Sequence, residues 1–147
     1  MVMHFPVHIP FVQALGFELH AFADGQAELQ VAVTPEQLNG WAVAHGGLLM
    51  TLLDVAMAHA ARSVDASGPG VVTIEMKTSF MRPAEGRVRG VGKLLQRTRT
   101  LAFCEASALD AQGRLCAHAT GTFKYMRALP ADGAVRPLNL PSTGDGD

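Results

Sequence analysis

Residues 45–62 read HGGLLMTLLDVAMAHAAR, a stretch with no proline and a single carboxylate, Asp54, at its middle. Leu, Met and Ala dominate it, all strong helix formers, so the stretch predicts a helix of about five turns. Its apolar residues (Leu48, Leu49, Leu52, Leu53, Val55, Ala56, Met57, Ala58, Ala60 and Ala61) run all the way round instead of keeping to one stripe. A helix of that kind has to be covered on most of its faces. The rest of the chain must therefore supply a surface that wraps it.

That surface reads as β-structure. Residues 17–33, FELHAFADGQAELQVAV, are two alternating runs joined by Asp24-Gly25, a strong short-range hairpin signal. After a loop at 65–70 come four more strand-like runs, at 71–81, 87–96, 101–109 and 115–126, separated by turn-forming sequences. A short helix is expected over 9–15, opened by Pro10 and ended at Gly16. Runs of strand with one long helix, without βαβ alternation, indicate an α+β fold: an antiparallel sheet of about six strands around one central helix. With 147 residues the chain has room for one domain, placed at 1–126. Residues 127–147, with Pro130, Pro137 and Pro141 and no periodicity, read as a flexible tail.

Several function classes drop out on composition. At 48% hydrophobic and 17% charged the chain is too apolar for disorder and too evenly punctuated by charge for a membrane span. A net charge of −1 lacks the field that draws nucleic-acid binders to phosphate. Charge is uneven, however: no Lys or Arg precedes Arg62, while Glu18, Asp24, Glu28, Glu36 and Asp54 do. Anion-binding groups must come from the second half. The two cysteines, Cys104 and Cys116, have no metal-ligand spacing and read as unbridged core thiols, which suits a reducing cytoplasm. The N-terminus, MVMHFPVHIP, has neither the basic start nor the long apolar run of a signal peptide.

Asp54 is the residue most suggestive of chemistry. A carboxylate among Leu52, Leu53, Val55 and Ala56 must be paired, be hydrogen-bonded, or shift its pKa upward. His45-Gly46-Gly47 opens the same helix, where unpaired backbone N–H groups and the positive dipole end can receive an oxyanion. His45 and Asp54 are nine positions apart, roughly opposite in azimuth and ~13 Å apart along the axis, so one subunit cannot join them. A two-fold dimer can, by bringing one helix start to its partner's helix middle. No G-x-S-x-G elbow or phosphate loop is present. Cys104 and Cys116 sit mid-strand, and His59 lies off the Asp54 face and reads as core or interface.

Three segments carry a resemblance: NGWAVAHGGLLMTLLD (39–54), GVVTIEMKTSFMRPA (70–84) and RTLAFCEA (99–106). Together, over about residues 36–126, they resemble the hotdog-fold acyl-CoA thioesterases of the PaaI-like branch. The combination of the H-G-G helix start, an acid seven residues beyond its second glycine and an M-x-P-A strand end is the specific part.

The resemblance implies a hotdog fold and hydrolysis of an aryl- or fatty-acyl-CoA to free acid and coenzyme A. Asp54 falls on the family's catalytic acid, acting as general base on water or as nucleophile. Gly46 falls on the backbone oxyanion donor, with His45 shaping that turn and Asn39 near the carbonyl or the water. Thr73 falls on the strand hydroxyl that holds the water or orients the acid from the partner chain. Gly47, Arg82, Arg97 and Arg99 are the candidates for the coenzyme A moiety, the arginines for its phosphates. No metal or cofactor is expected, coenzyme A being part of the substrate, and the assembly implied is a homodimer or a dimer of dimers. The competing expectations are a non-catalytic acyl-CoA-binding hotdog protein and an acyl-thioester hydratase or dehydratase. The latter has a His-Phe-Pro-Gly type segment just before the helix, whereas here His4-Phe5-Pro6 is far upstream and is followed by Val7.

Overall fold

The computed structural model describes residues 1–131 and 134–141. A short helix α1 (Pro10–Ala14) leads into strands β1 (Glu18–Ala23) and β2 (Gln26–Ala32), followed by a 3-10 turn at Pro35–Gln37. The long helix α2 (Gly46–Arg62) comes next, then β3 (Gly70–Phe80), β4 (Arg87–Arg97), β5 (Leu101–Leu109) and β6 (Leu115–Met126). The six strands form one antiparallel sheet in the order β1-β2-β4-β5-β6-β3, so β3, the strand after the helix, lies at an edge.

Local chemistry fixes the turns. Asp24 and Gly25 both take positive φ (54° and 80°), the paired left-handed conformation that a two-residue hairpin needs. Asp110 closes the β5–β6 turn by accepting from the backbone N–H groups of Gln112 and Arg114 through Oδ1. Thr98 Oγ1 does the same for Thr100 and Leu101 at the β4–β5 bend.

The sheet curls around α2 because its inward positions are small. Ala102, Cys104, Ala106 and Ala108 of β5, and Ala117 and Ala119 of β6, are all buried. On β4 a Cβ at Gly92 would lie only 2.3 Å from the Ala56 carbonyl oxygen, so the helix backbone rests directly on the strand. Leu48, Leu49, Leu52, Leu53, Ala56 and Met57 fill the resulting core with Leu29, Val31, Val88 and Phe123. This is the wrapped-helix arrangement expected of a hotdog fold. Both cysteines are free and buried, and Cys104 pairs with Gly121 in the ladder.

After Arg127 the chain continues into two further short strands. Ala128–Ala131 and Ala134–Pro137 form a hairpin, β7 and β8, and Leu138 packs against Gly70. Asn139 then ties this segment to the N-terminus: its carbonyl accepts from His8 N–H and its amide donates to the His8 carbonyl. Prolines hid the hairpin from a periodicity argument, yet they are tolerated in a two-stranded ribbon whose outer backbone groups need no partner. Residues 142–147 lie outside the described part. Among the described residues no helix is long and apolar enough to cross a membrane.

Candidate active site

The site begins with the one strip of α2 that the sheet leaves open. Gly47, Met50, Thr51, Asp54 and Ala58 are exposed or half-buried at helical spacing, while the other faces are covered. Asp54 is on that strip and half-buried. Thr73 of β3 donates its hydroxyl to Asp54 Oδ1 at 2.7 Å. Burial raises the Asp54 pKa above the usual carboxylate value, and the Thr73 hydrogen bond opposes part of that rise. The contact is made within one chain, where β3 runs alongside α2.

A bulge makes this contact possible. Thr73 pairs with Phe123 and Glu75 with Thr122, leaving Ile74 without a partner on β6. Residues seven apart on a regular strand face opposite sides. Here Thr73 and Phe80 both face α2, one at Asp54 and the other at Gly46, because the extra residue resets the alternation between them.

At the helix start His45 is the N-cap. Its ring Nδ1 accepts from Gly47 N–H at 2.8 Å, and its carbonyl accepts from the N–H groups of Leu48 and Leu49. Gly46 N–H is left without an acceptor among the described residues. It is a free donor at the positive end of a 17-residue helix, the property an oxyanion site requires. The Phe80 ring lies beside it, 3.4 Å from where a Gly46 Cβ would stand. Sequence reasoning missed Phe80, since its contact depends on the bulge.

Asn39 organises the loop before the helix. Its Oδ1 accepts from the N–H groups of Trp41 and Val43 at 2.8 and 3.3 Å, which leaves only its amide N–H groups to offer a substrate. Ala42 in this loop sits at φ 59°, and Trp41 is 87% exposed.

The predicted residues thus fall into two groups. Asp54 and Thr73 are joined; His45, Gly46, Gly47 and Asn39 cluster at the helix start, about 12 Å away along the axis. The three arginines do not gather either. Arg82 follows β3 at the helix-start end, whereas Arg97, stacked 5.0 Å over the Tyr125 ring, and Arg99 lie at the opposite end, where Tyr125 donates to the Ala61 carbonyl. All three are exposed. His59 is a core residue: buried, donating Nδ1 to the Val55 carbonyl, edge-on to Phe5 and Phe22, with its pKa pushed down to about 4 by burial. Burial likewise pushes the Cys104 thiol up to about 12, which leaves it inert as a nucleophile. Among the described residues no three His, Cys, Asp or Glu side chains gather as a metal site.

Comparison with known proteins agrees with this architecture. The thioesterase superfamily profile matches residues 42–117, from the loop before α2 into β6. The medium/long-chain acyl-CoA thioesterase YigI of Escherichia coli K12 is 27% identical, with 81% of this chain and 87% of that one covered. Among solved structures, the conserved protein PA5202 of Pseudomonas aeruginosa superposes with a TM-score of 0.77 at 29% identity, covering 82% of this chain and 97% of that one. A point mutant of the phenylacetic acid degradation protein PaaI from Thermus thermophilus does so with a TM-score of 0.73 at 29% identity, over 80% of this chain and 100% of that one. Fold, motif order and profile agree, and the chain belongs to the thioesterase superfamily, with a PaaI-like hotdog fold.

Proposed function

We propose that this chain is an acyl-CoA thioesterase that hydrolyses an aryl- or fatty-acyl-CoA at a site shared between two subunits. The observation that carries this reading is the Thr73–Asp54 hydrogen bond: a half-buried carboxylate with a raised pKa, oriented by a hydroxyl and facing the open strip of the helix. A raised pKa makes such a carboxylate a stronger base toward water. In the general-base form Asp54 takes a proton from water as the water oxygen attacks the thioester carbonyl. The carbonyl oxygen becomes an oxyanion, received by Gly46 N–H of the partner subunit. Collapse breaks the carbon–sulfur bond, and the proton on Asp54 passes to the departing thiolate. In the nucleophilic form the carboxylate itself attacks the carbonyl carbon, the carbon–sulfur bond breaks and the thiolate leaves; water then opens the resulting anhydride, freeing the acid and the Asp54 carboxylate, and a proton of that water passes to the thiolate. A thiolate is a good leaving group, so neither form needs a metal or cofactor.

The separation of Asp54 from Gly46 in one chain supports a homodimer, and the exposed β3 edge offers its seam. Pairing of dimers into tetramers extends the same reading. His45 holds the helix start open by turning its ring onto Gly47, and Asn39 stiffens the approach. Gly47 lets the acyl group approach the helix start, and Arg82, Arg97 and Arg99 are candidates for the coenzyme A phosphates. The unbridged thiols suit a cytoplasmic setting.

The test is release of free coenzyme A from a panel of aryl, short-chain and long-chain acyl-CoAs, with Asp54→Asn alongside. The expected result is hydrolysis of at least one member and a loss of about 100-fold or more in kcat in the variant, in the range set by removing a positioned acid–base group. Turnover unchanged by the substitution would refute the mechanism. No hydrolysis by a folded, dimeric sample would turn the reading to acyl-CoA binding or dehydration.

A further inference from the structure

The second-half arginines divide by whether they are paired. Arg87, Arg89 and Arg114 meet Glu18, Glu28 and Asp110 at 2.8–3.1 Å. Arg62, Arg82, Arg97, Arg99, Arg127 and Arg136 have no carboxylate partner among the described residues, and of these only Arg62 is buried. Arg62, the last residue of α2, is only 6% exposed; its Nε and Nη2 donate to the Pro69 and Ala66 carbonyls through long contacts of 3.3 and 3.4 Å. Its Nη1 is buried without an acceptor among the described residues. A buried guanidinium with an unused donor and no counter-charge is costly unless an anion completes it.

Arg62 borders a cleft of about 400 Å³ that Arg127, Ser67, Gly68 and Gly70 also line. A second cleft of about 160 Å³ adjoins it at Gly70, Arg127 and Leu138, and adds Arg136. This second cleft is lined by Val71 and Val72, immediately before Thr73 in β3. Three cations therefore line two adjoining clefts whose β3 lining, Val71 and Val72, ends one residue before Thr73. Arg62 is eight residues beyond Asp54, about 12 Å of helix.

We infer that this cleft is a phosphate-binding site completed by Arg62 and Arg127, and that it, in place of the scattered Arg82, Arg97 and Arg99, receives the phosphate-bearing end of coenzyme A. The inference rests on the thioesterase reading for its occupant but not for its anion chemistry. Two guanidinium groups match a phosphate's oxygens, and the apolar stretch at Val71 and Val72 suits the pantetheine arm. Arg62 also clips the loop after α2, which a purely structural arginine would do, so the informative variant is at Arg127, which is exposed and makes no hydrogen bond among the described residues.

The experiment compares one acyl group carried on coenzyme A, on dephospho-coenzyme A and on pantetheine, in the full chain and in Arg127→Gln. The ratio of kcat/KM for the coenzyme A thioester to that for the pantetheine thioester is expected to fall about tenfold or more in the variant, the worth of one charge-assisted hydrogen bond, with the change in KM. Loss of the same discrimination with dephospho-coenzyme A in the unaltered chain identifies the 3′-phosphate as the bound group; persistence identifies the diphosphate. The control Arg87→Gln, whose charge is paired with Glu18, is expected to keep the ratio. An unchanged ratio in Arg127→Gln overturns the inference. Calorimetric titration with adenosine 3′,5′-bisphosphate and with inorganic phosphate separates the two proposals: binding weakened by Arg127→Gln supports the site even where no thioester is hydrolysed. Nucleotide binding equal in both proteins overturns it, and binding of inorganic phosphate without nucleotide binding overturns its assignment to coenzyme A.

Discussion

Thr73 and burial act on Asp54 in opposite directions, and the balance sets the pH range of any chemistry the acid performs. Burial favours the neutral acid; the Thr73 hydroxyl, donating at 2.7 Å, favours the carboxylate. As base or nucleophile Asp54 must be ionised, so activity falls as pH drops through its pKa. Thr73→Val removes the stabilising hydrogen bond and leaves the burial, so the pKa rises and the acid limb of the kcat/KM profile moves to higher pH. On the plateau, kcat/KM is expected to fall about 3- to 10-fold, the worth of one hydrogen bond. A limb that stays in place would mean that the hydroxyl contact has no part in ionising Asp54. Asp54 and H-G-G were legible in sequence because each is anomalous where it stands: an acid in an apolar helix, and glycines at a helix start. The Thr73 contact spans 19 positions, and from residue type alone its donor could have served a water or a partner chain equally well. Asn39 shows the same limit, since its type marked it as a polar site residue but not that two backbone N–H groups already occupy its oxygen.

Elements were easier to read than their registers. All six strands of the main sheet and both α-helices announced themselves through alternation, Asp-Gly and Gly punctuation, and the long proline-free stretch, whereas β7 and β8 did not. The bulge at Ile74 did not, because one extra residue in a β-rich run leaves no mark on composition and shows only when β6 is laid beside β3. The close seating of α2 on β4 is likewise hidden in two glycines, Gly90 and Gly92, that read as weak points of a strand. Gly92→Ala would set a methyl 2.3 Å from the Ala56 carbonyl oxygen and 3.0 Å from Met57 N, so the helix must move. The expected cost is about 2–3 kcal/mol, as for an overpacked core, read as a lower urea midpoint with an unchanged m-value. Since Asp54 lies two residues before Ala56 on the same helix, turnover should fall in the protein that remains folded. A Gly92→Ala variant of undiminished stability would show that α2 has freedom to slide that this seating denies it.

The single chain leaves one side of its sheet uncovered. Ile74, Phe80 and Met81 on and just beyond β3 are each more than half exposed, and β3 has a free hydrogen-bonding edge. An uncovered apolar edge strand invites pairing with another chain, and a two-fold axis there would cover the edge and the open strip of α2 together. It would also bring one subunit's Gly46 N–H toward its partner's Asp54, which the ~12 Å between them in one chain forbids. Ile74→Lys places a charge on that edge without touching Asp54, Thr73 or the helix start, and Ile74, at 56% exposure, gives up little core packing. The expected outcome is a folded monomer by sedimentation velocity whose hydrolysis of acyl-CoA falls to background, and recovery of both properties together at high protein concentration. Because assembly and turnover then share one equilibrium, their concentration dependences should superimpose. A monomer that turns over substrate at the undiminished rate would require oxyanion donor and base to meet within one chain, and the two-subunit site would have to be abandoned.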